Sequence, residues 1–129
     1  MVKIYTDGGS RGNPGKSACS FIAVRDEKII KEKSKFLGLA TNNEAEYNAI
    51  IFALENINEK DIEIISDSEV VVRQINGKYK INKLHLQLLN QKVQGLISKR
   101  NVNFSNLSRE NKFISRADLL VNNELDKHD

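Results

Sequence analysis

Four acidic residues stand in surroundings that could support chemistry. Asp7 follows the apolar run Val2–Thr6 and opens a glycine-rich segment, Asp7-Gly-Gly-Ser-Arg-Gly-Asn-Pro-Gly15. Asp67 stands between two serines at the end of a second short apolar run, Ile62–Ser66. Glu46 shares a helical face with Ala49, Ile50, Ala53, Leu54 and Ile57, and it is the one polar residue on that face. Asp118 lies on a similar face with Val121 and Leu125. Each also has a purely structural account. Asp7 suits a turn, Asp67 a helix N-cap, Glu46 a buried ion pair, and Asp118 the capping-box-like start Ser115-Arg-Ala-Asp118. Single residues do not choose between the accounts. As a set they imply something more specific. A carboxylate aimed at a core is costly unless a positive charge meets it. Four of them converging on one end of a sheet would repel one another and raise their pKa values. A hard divalent cation relieves that strain, and Mg²⁺ favours oxygen ligands while keeping several waters. Two such ions about 4 Å apart can clamp the attacking and leaving oxygens of a phosphodiester. Carboxylates beside a mildly basic surface thus point to phosphoryl chemistry on a nucleic acid.

The elements that would position these residues can be read from hydrophobic period and turn signals. Strands are expected at Val2–Thr6, Ser17–Arg25 and Lys28–Phe36, the last two forming a hairpin around Asp26-Glu27. Lys31, Lys33 and Lys35 alternate along the third strand, as a solvated edge strand would show. A helix from Asn43 to Ile57 opens with the capping box Thr41-Asn-Asn-Glu44, and Glu44 points away from the apolar face toward solvent. A strand at Ile62–Ser66 and a helix at Ser68–Ile75 follow, the helix ended by Asn76-Gly77. A helix over Asn82–Ser98 carries a stripe of Leu86, Leu89, Val93, Leu96 and Ile97. The last strand is Val102–Leu107, and the last helix begins near Ser115. The order β-β-β-α-β-α-α-β-α predicts an α/β fold with a mixed sheet flanked by helices. In such sheets ligands gather at the carboxyl ends of neighbouring parallel strands, where Asp7 and Asp67 are expected.

Composition sets the frame. The 129 residues fit a single domain, 1–129, and the 40% hydrophobic content supports one core. No apolar run approaches the roughly 18 residues of a membrane span, and the N-terminus turns polar too soon for a signal peptide. Cys19 is the one cysteine, so no internal disulfide forms and no zinc spacing exists; Cys19 reads as a small core residue. A cytoplasmic monomer without membrane contact is expected. Twenty Lys and Arg against seventeen Asp and Glu give +3, which permits a polyanionic partner without requiring one. Gly15-Lys-Ser17 resembles the end of a phosphate-binding loop, yet position 10 is serine where that loop needs glycine, and a strand follows.

At its acidic segments the sequence resembles the type 1 ribonuclease H family. The segments are Tyr5-Thr-Asp-Gly-Gly-Ser-Arg-Gly-Asn-Pro-Gly15, Thr41-Asn-Asn-Glu-Ala-Glu-Tyr47, Ser66-Asp-Ser-Glu-Val-Val-Val-Arg-Gln-Ile75 and Arg116-Ala-Asp-Leu-Leu-Val-Asn122, in the family's order. The resemblance implies a five-stranded mixed sheet, three strands antiparallel and the others added in parallel. It implies that Asp7, Glu46, Asp67 and Asp118 hold two Mg²⁺ ions, with Mn²⁺ as a substitute. The implied reaction is hydrolysis of the RNA strand of an RNA–DNA hybrid, leaving 5′-phosphate and 3′-hydroxyl ends. It further implies that Asn13, Asn42 and Asn43 lie in the hybrid groove, with Gly8, Ser68 and Glu69 as further substrate contacts. Turn and cap chemistry accounts for the asparagines equally well. A broader nuclease that also cuts double-stranded RNA, and a non-catalytic hybrid-binding module, are the alternatives.

Three departures from the family pattern bear on substrate handling. The interval Asn76–Asn101 holds one predicted helix, so the basic helical protrusion of many members is absent. Lys78, Lys80 and Lys83 stand nearby, either as partial replacements or as a solvated charge run. The loop Ser108–Ser115 lacks the histidine of many members and carries Arg109, Glu110, Asn111 and Lys112; His85 and His128 are poorly placed to replace it. Glu69 stands where glutamine is frequent.

Overall fold

A computed structural model describes residues 1–129. The strands are β1 (Val2–Ser10), β2 (Gly15–Arg25), β3 (Lys28–Ala40), β4 (Asp61–Ser66) and β5 (Asn101–Asn106). The helices are α1 (Asn42–Asn56), α2 (Glu69–Ile75), α3 (Leu84–Ile97) and α4 (Lys112–Asp126). One sheet has the order β3-β2-β1-β4-β5; β1, β2 and β3 pair antiparallel, while β4 and β5 run parallel to β1.

Strand alternation divides the core between the two faces. Val2 and Ile4, with Phe21, Ala23, Ile62 and Ile64, pack beneath α1, α2 and α3. Tyr5, Ile22, Val24 and Ile65 point the other way, onto Phe113, Ile114 and Ala117 of α4. Because β2 is covered on both faces, every residue from Ser17 to Val24 is buried. At the sheet edge, Lys31, Lys33 and Lys35 are exposed as expected. Asp26 and Glu27 both take positive φ, which closes a two-residue turn whose twist suits the hairpin.

The capping box at α1 forms in full: the Glu44 amide donates to Thr41 Oγ1, and the Thr41 amide donates to a Glu44 carboxylate oxygen. Glu44 is thereby half-buried and engaged rather than simply solvated. The α3 stripe also packs as read, with Leu86 and Val93 buried and Leu89, Leu96 and Ile97 against the same core.

Besides β3, which runs past the expected Phe36 to Ala40, two expectations that bear on the site need correction. First, β1 does not stop at Thr6 but continues to Ser10, with Asp7 opposite Ser20 and Ser10 opposite Ser17. The glycines prolong the strand because β2 still offers an antiparallel partner there. The parallel ladder with β4 does end at Thr6–Ser66. Asp7 and Asp67 are therefore the first residues beyond the paired parallel segment, which preserves the reason for looking there. Second, α4 begins at Lys112, not near Ser115. Asn111 is its N-cap, its side-chain oxygen accepting from the Phe113 and Ile114 amides. Asp118 thus lies inside the helix and has no capping function; the Ser115 hydroxyl instead donates to the Arg109 carbonyl.

Candidate active site

Each of the four carboxylates arrives from a different element. Asp7 comes from β1, Glu46 from the second turn of α1, Asp67 from the link between β4 and α2, and Asp118 from α4 on the opposite sheet face. They line one cleft of about 420 Å³, together with Gly8, Gly9, Ser10, Arg11, Asn42 and Asn43. Side-chain oxygens of Asp7, Glu46 and Asp67 lie within 4.8 Å of one another.

Close approach of α1 to β1 makes this convergence feasible. A Cβ at Gly8 would collide with the backbone carbonyl of Ala45, so only glycine lets the helix sit that near. The Gly8 amide then donates to Glu46 Oε1 at 2.5 Å, fixing the carboxylate beside Asp7. No lysine or arginine pairs with Glu46, which removes the buried-ion-pair account of that residue. The rest of its helical face is apolar and buried, from Ala49 to Ile57.

Electrostatics make the cluster uneasy without a partner. Asp7 is only 2% exposed. Burial, followed by the charges of Asp67 and Asp118, pushes its carboxyl up to about 8. Glu46 is raised well above the ordinary carboxylate range, first by burial and then by Asp7 and Asp67. The donor set fits a hard divalent cation: all three clustered ligand atoms are carboxylate oxygens, and a dication would relieve both desolvation and repulsion. Asp118 faces the same cleft from the other wall, half-buried, with the Asn122 amide 3.4 Å from its Oδ2.

The remaining site residues show how the rim is built. The Ser10 amide donates to Asn42 Oδ1 at 2.8 Å, and the Asn42 amide donates to Asn13 Oδ1 at 3.1 Å. These contacts tie the β1–β2 loop to the start of α1. Asn42 and Asn43, which line the cleft, also line a second, adjoining hollow with Asn13, Thr41, Lys83 and His85. Ser68 is the N-cap of α2, so Asp67 does not fill that position. Glu69 pairs with Arg73 at 2.8 Å and does not line the cleft. Between α2 and β5 there is one helix, in keeping with the missing protrusion. His128 stacks on Phe36, 3.8 Å between ring centroids, away from the carboxylates. Arg109 was legible only as a loop residue; its Nε donates to Asp67 Oδ2 at 2.7 Å. Chain order gives no signal for this contact, since 42 residues separate the two.

Comparison with known proteins agrees with this geometry. The RNase H family profile matches residues 1–123. A ribonuclease HI of Halobacterium salinarum is 36% identical over 97% of the chain and 64% of its own length. A bifunctional protein of Mycobacterium tuberculosis is 32% identical over 97% of the chain but only 35% of its own length. The chain therefore spans less than two thirds of these relatives. The crystal structure of RNase H1 from H. salinarum superposes with a TM-score of 0.93 at 36% identity, covering 98% of each chain. LC11 RNase H1, solved in complex with an RNA/DNA hybrid, gives 0.92 at 36% identity over 99% of each chain.

Proposed function

The chain belongs to the RNase H family, and from that premise we propose that it is an endoribonuclease hydrolysing the RNA strand of RNA–DNA hybrids. The observation that carries the proposal is the convergence of Asp7, Glu46 and Asp67 within 4.8 Å, with Asp118 on the facing wall of the same cleft. These residues would hold two Mg²⁺ ions, with Mn²⁺ able to substitute. When bound, such ions make water a better nucleophile and stabilise the leaving oxygen, giving 5′-phosphate and 3′-hydroxyl ends. The chain itself supplies position. Gly8 orients Glu46 through its amide, β1 and β4 carry Asp7 and Asp67 past the end of their shared ladder, and α4 brings Asp118 from the far face.

Substrate choice would follow from the rim. Asn42 and Asn43 line the cleft beside the carboxylates and Asn13 lines the adjoining hollow, their amide groups suited to 2′-hydroxyls and minor-groove shape. Gly8 and Ser68 line the cleft, and Glu69 begins the helix that follows Ser68. The hybrid held by LC11 RNase H1 supports the same substrate class here. All four carboxylates and the rim come from one chain, so a monomer suffices for the reaction.

A strand-specific cleavage assay tests this reading. The chain should cut the labelled RNA strand of a hybrid with Mg²⁺ and leave it intact with chelator. Matched single-stranded RNA and DNA should survive. Cutting of double-stranded RNA at a similar rate would widen the substrate. Hybrid binding without cutting under either metal would replace the enzyme with a binding module.

A further inference from the structure

Among four carboxylates at the cleft, one has a salt-bridge partner. Arg109, in the short link between β5 and α4, donates from Nε to Asp67 Oδ2 at 2.7 Å. The two ends of this pair differ in setting: the Asp67 side chain is 12% exposed and the Arg109 side chain 72%. The arginine thus reaches in from solvent to a carboxylate set in the wall. Its backbone is held where this reach is natural, since the Ser115 hydroxyl donates to the Arg109 carbonyl at 2.8 Å. Nearby cations point elsewhere: Arg11 pairs with Asp126 and Asp129, Lys112 faces Glu27, and Arg116 pairs with Glu32.

We infer that Arg109 is a tethered counter-ion for Asp67 which an incoming divalent cation must displace, so that the arginine sets the metal affinity of the free protein. The inference rests on the metal-holding role proposed above for Asp67. The physical argument is one of competition. A carboxylate oxygen that accepts a charge-assisted hydrogen bond from a guanidinium is less available as a ligand, and the fixed positive charge repels a dication. The exposed stem of Arg109 lets it leave without disturbing the core, and solvent screening keeps the barrier modest. Once displaced, it remains at the cleft mouth as the cation facing an approaching phosphate.

The test is calorimetric titration of Mn²⁺ into the full chain, in the absence of nucleic acid, for wild type, Arg109→Ala, Arg109→Gln and Lys112→Ala. Lys112→Ala removes an equal charge from the first residue of α4 without touching the cleft. Arg109→Ala and Arg109→Gln should each bind Mn²⁺ about three- to tenfold more tightly, equivalent to roughly 0.7 to 1.4 kcal/mol. Lys112→Ala should stay within about twofold of wild type. The same two Arg109 variants should show a larger metal-induced rise in melting temperature. Normal binding by wild type with unchanged or weaker binding by both Arg109 variants would overturn the competition while leaving the metal site intact. An equal gain in Lys112→Ala would overturn it too, because general charge would then explain the effect. No binding by any variant would overturn this inference together with the functional reading.

Discussion

Replacing Asp7 with asparagine should stabilise the metal-free fold near neutral pH while it destroys activity. Asp7 is buried beside Glu46 and Asp67, and its folded pKa stands at about 8 against an ordinary value of 3.8. Between those values the folded protein binds a proton that the unfolded chain does not. Stability must therefore fall as pH rises through that window, the reverse of a salt-bridged carboxylate. Each pH unit corresponds to about 1.36 kcal/mol for one group, so Asp7 alone removes about 3 kcal/mol between pH 5 and pH 7. Glu46, raised by the same burial, adds a slope of the same sign. Asparagine keeps the size of the side chain, carries no charge, and can donate to the neighbouring carboxylates. Asp7→Asn should thus lose about one proton's worth of slope and gain roughly 1–3 kcal/mol at pH 7 in chelator. At about 4 °C per kcal/mol for a domain of this size, the gain is visible by melting as well as in urea. Saturating Mg²⁺ should flatten the wild-type profile and leave the variant unmoved. Urea unfolding at pH 5, 6 and 7 measures all of this. Identical slopes for the two proteins, or a variant less stable at pH 7, would refute the claim that the free fold disfavours the charged form of Asp7 and takes up a proton there.

Other expectations follow from single contacts. Gly8→Ala should cost about 1–3 kcal/mol by overpacking against Ala45 and depress hybrid cleavage beyond that loss, because Glu46 moves with α1; melting and steady-state rates separate the two effects. Thr41→Ala removes half of the α1 capping box and should cost about 1 kcal/mol, read as a lower urea midpoint with little change in metal affinity. Ile50→Ala empties a fully buried position under α1 and should cost roughly 2–5 kcal/mol by the same unfolding assay. Lys83 lines the hollow beside Asn13, Asn42 and Asn43, so Lys83→Ala should weaken hybrid binding and reduce the slope of log K against log salt by about one; an unchanged slope would mark Lys83 as merely solvated.

The parts of the site that were legible from sequence are those that local pattern controls. Glu46 could be singled out because one polar residue on an otherwise apolar helical face breaks a periodic rule. The Thr41–Glu44 box could be read because both partners lie within one turn. Asp7 and Asp67 were legible through the expected mixed sheet, even though β1 runs on to Ser10. Asp118 was ambiguous for a physical reason. Ser115-Arg-Ala-Asp118 imitates a capping box, but Asn111 outcompetes Ser115 by accepting two amides and starting the helix earlier. Arg109 and Gly8 depend on contacts 42 and 38 residues away, and neither helical nor strand period encodes such distances. A glycine needed for close approach looks, in sequence, like a glycine needed for a turn.

The most direct test of the account compares RNA-strand cleavage in a hybrid by wild type, Asp7→Asn, Glu46→Gln, Asp67→Asn and Asp118→Asn at saturating Mg²⁺. Outer contacts to bound metals already cost 10- to 100-fold when removed, so loss of a direct ligand should cost on the order of a hundredfold or more. The account predicts that all four variants fold, bind the hybrid and fall by at least that factor. Any one of them cutting at close to the wild-type rate would contradict the assignment of these four carboxylates as a single metal-holding site.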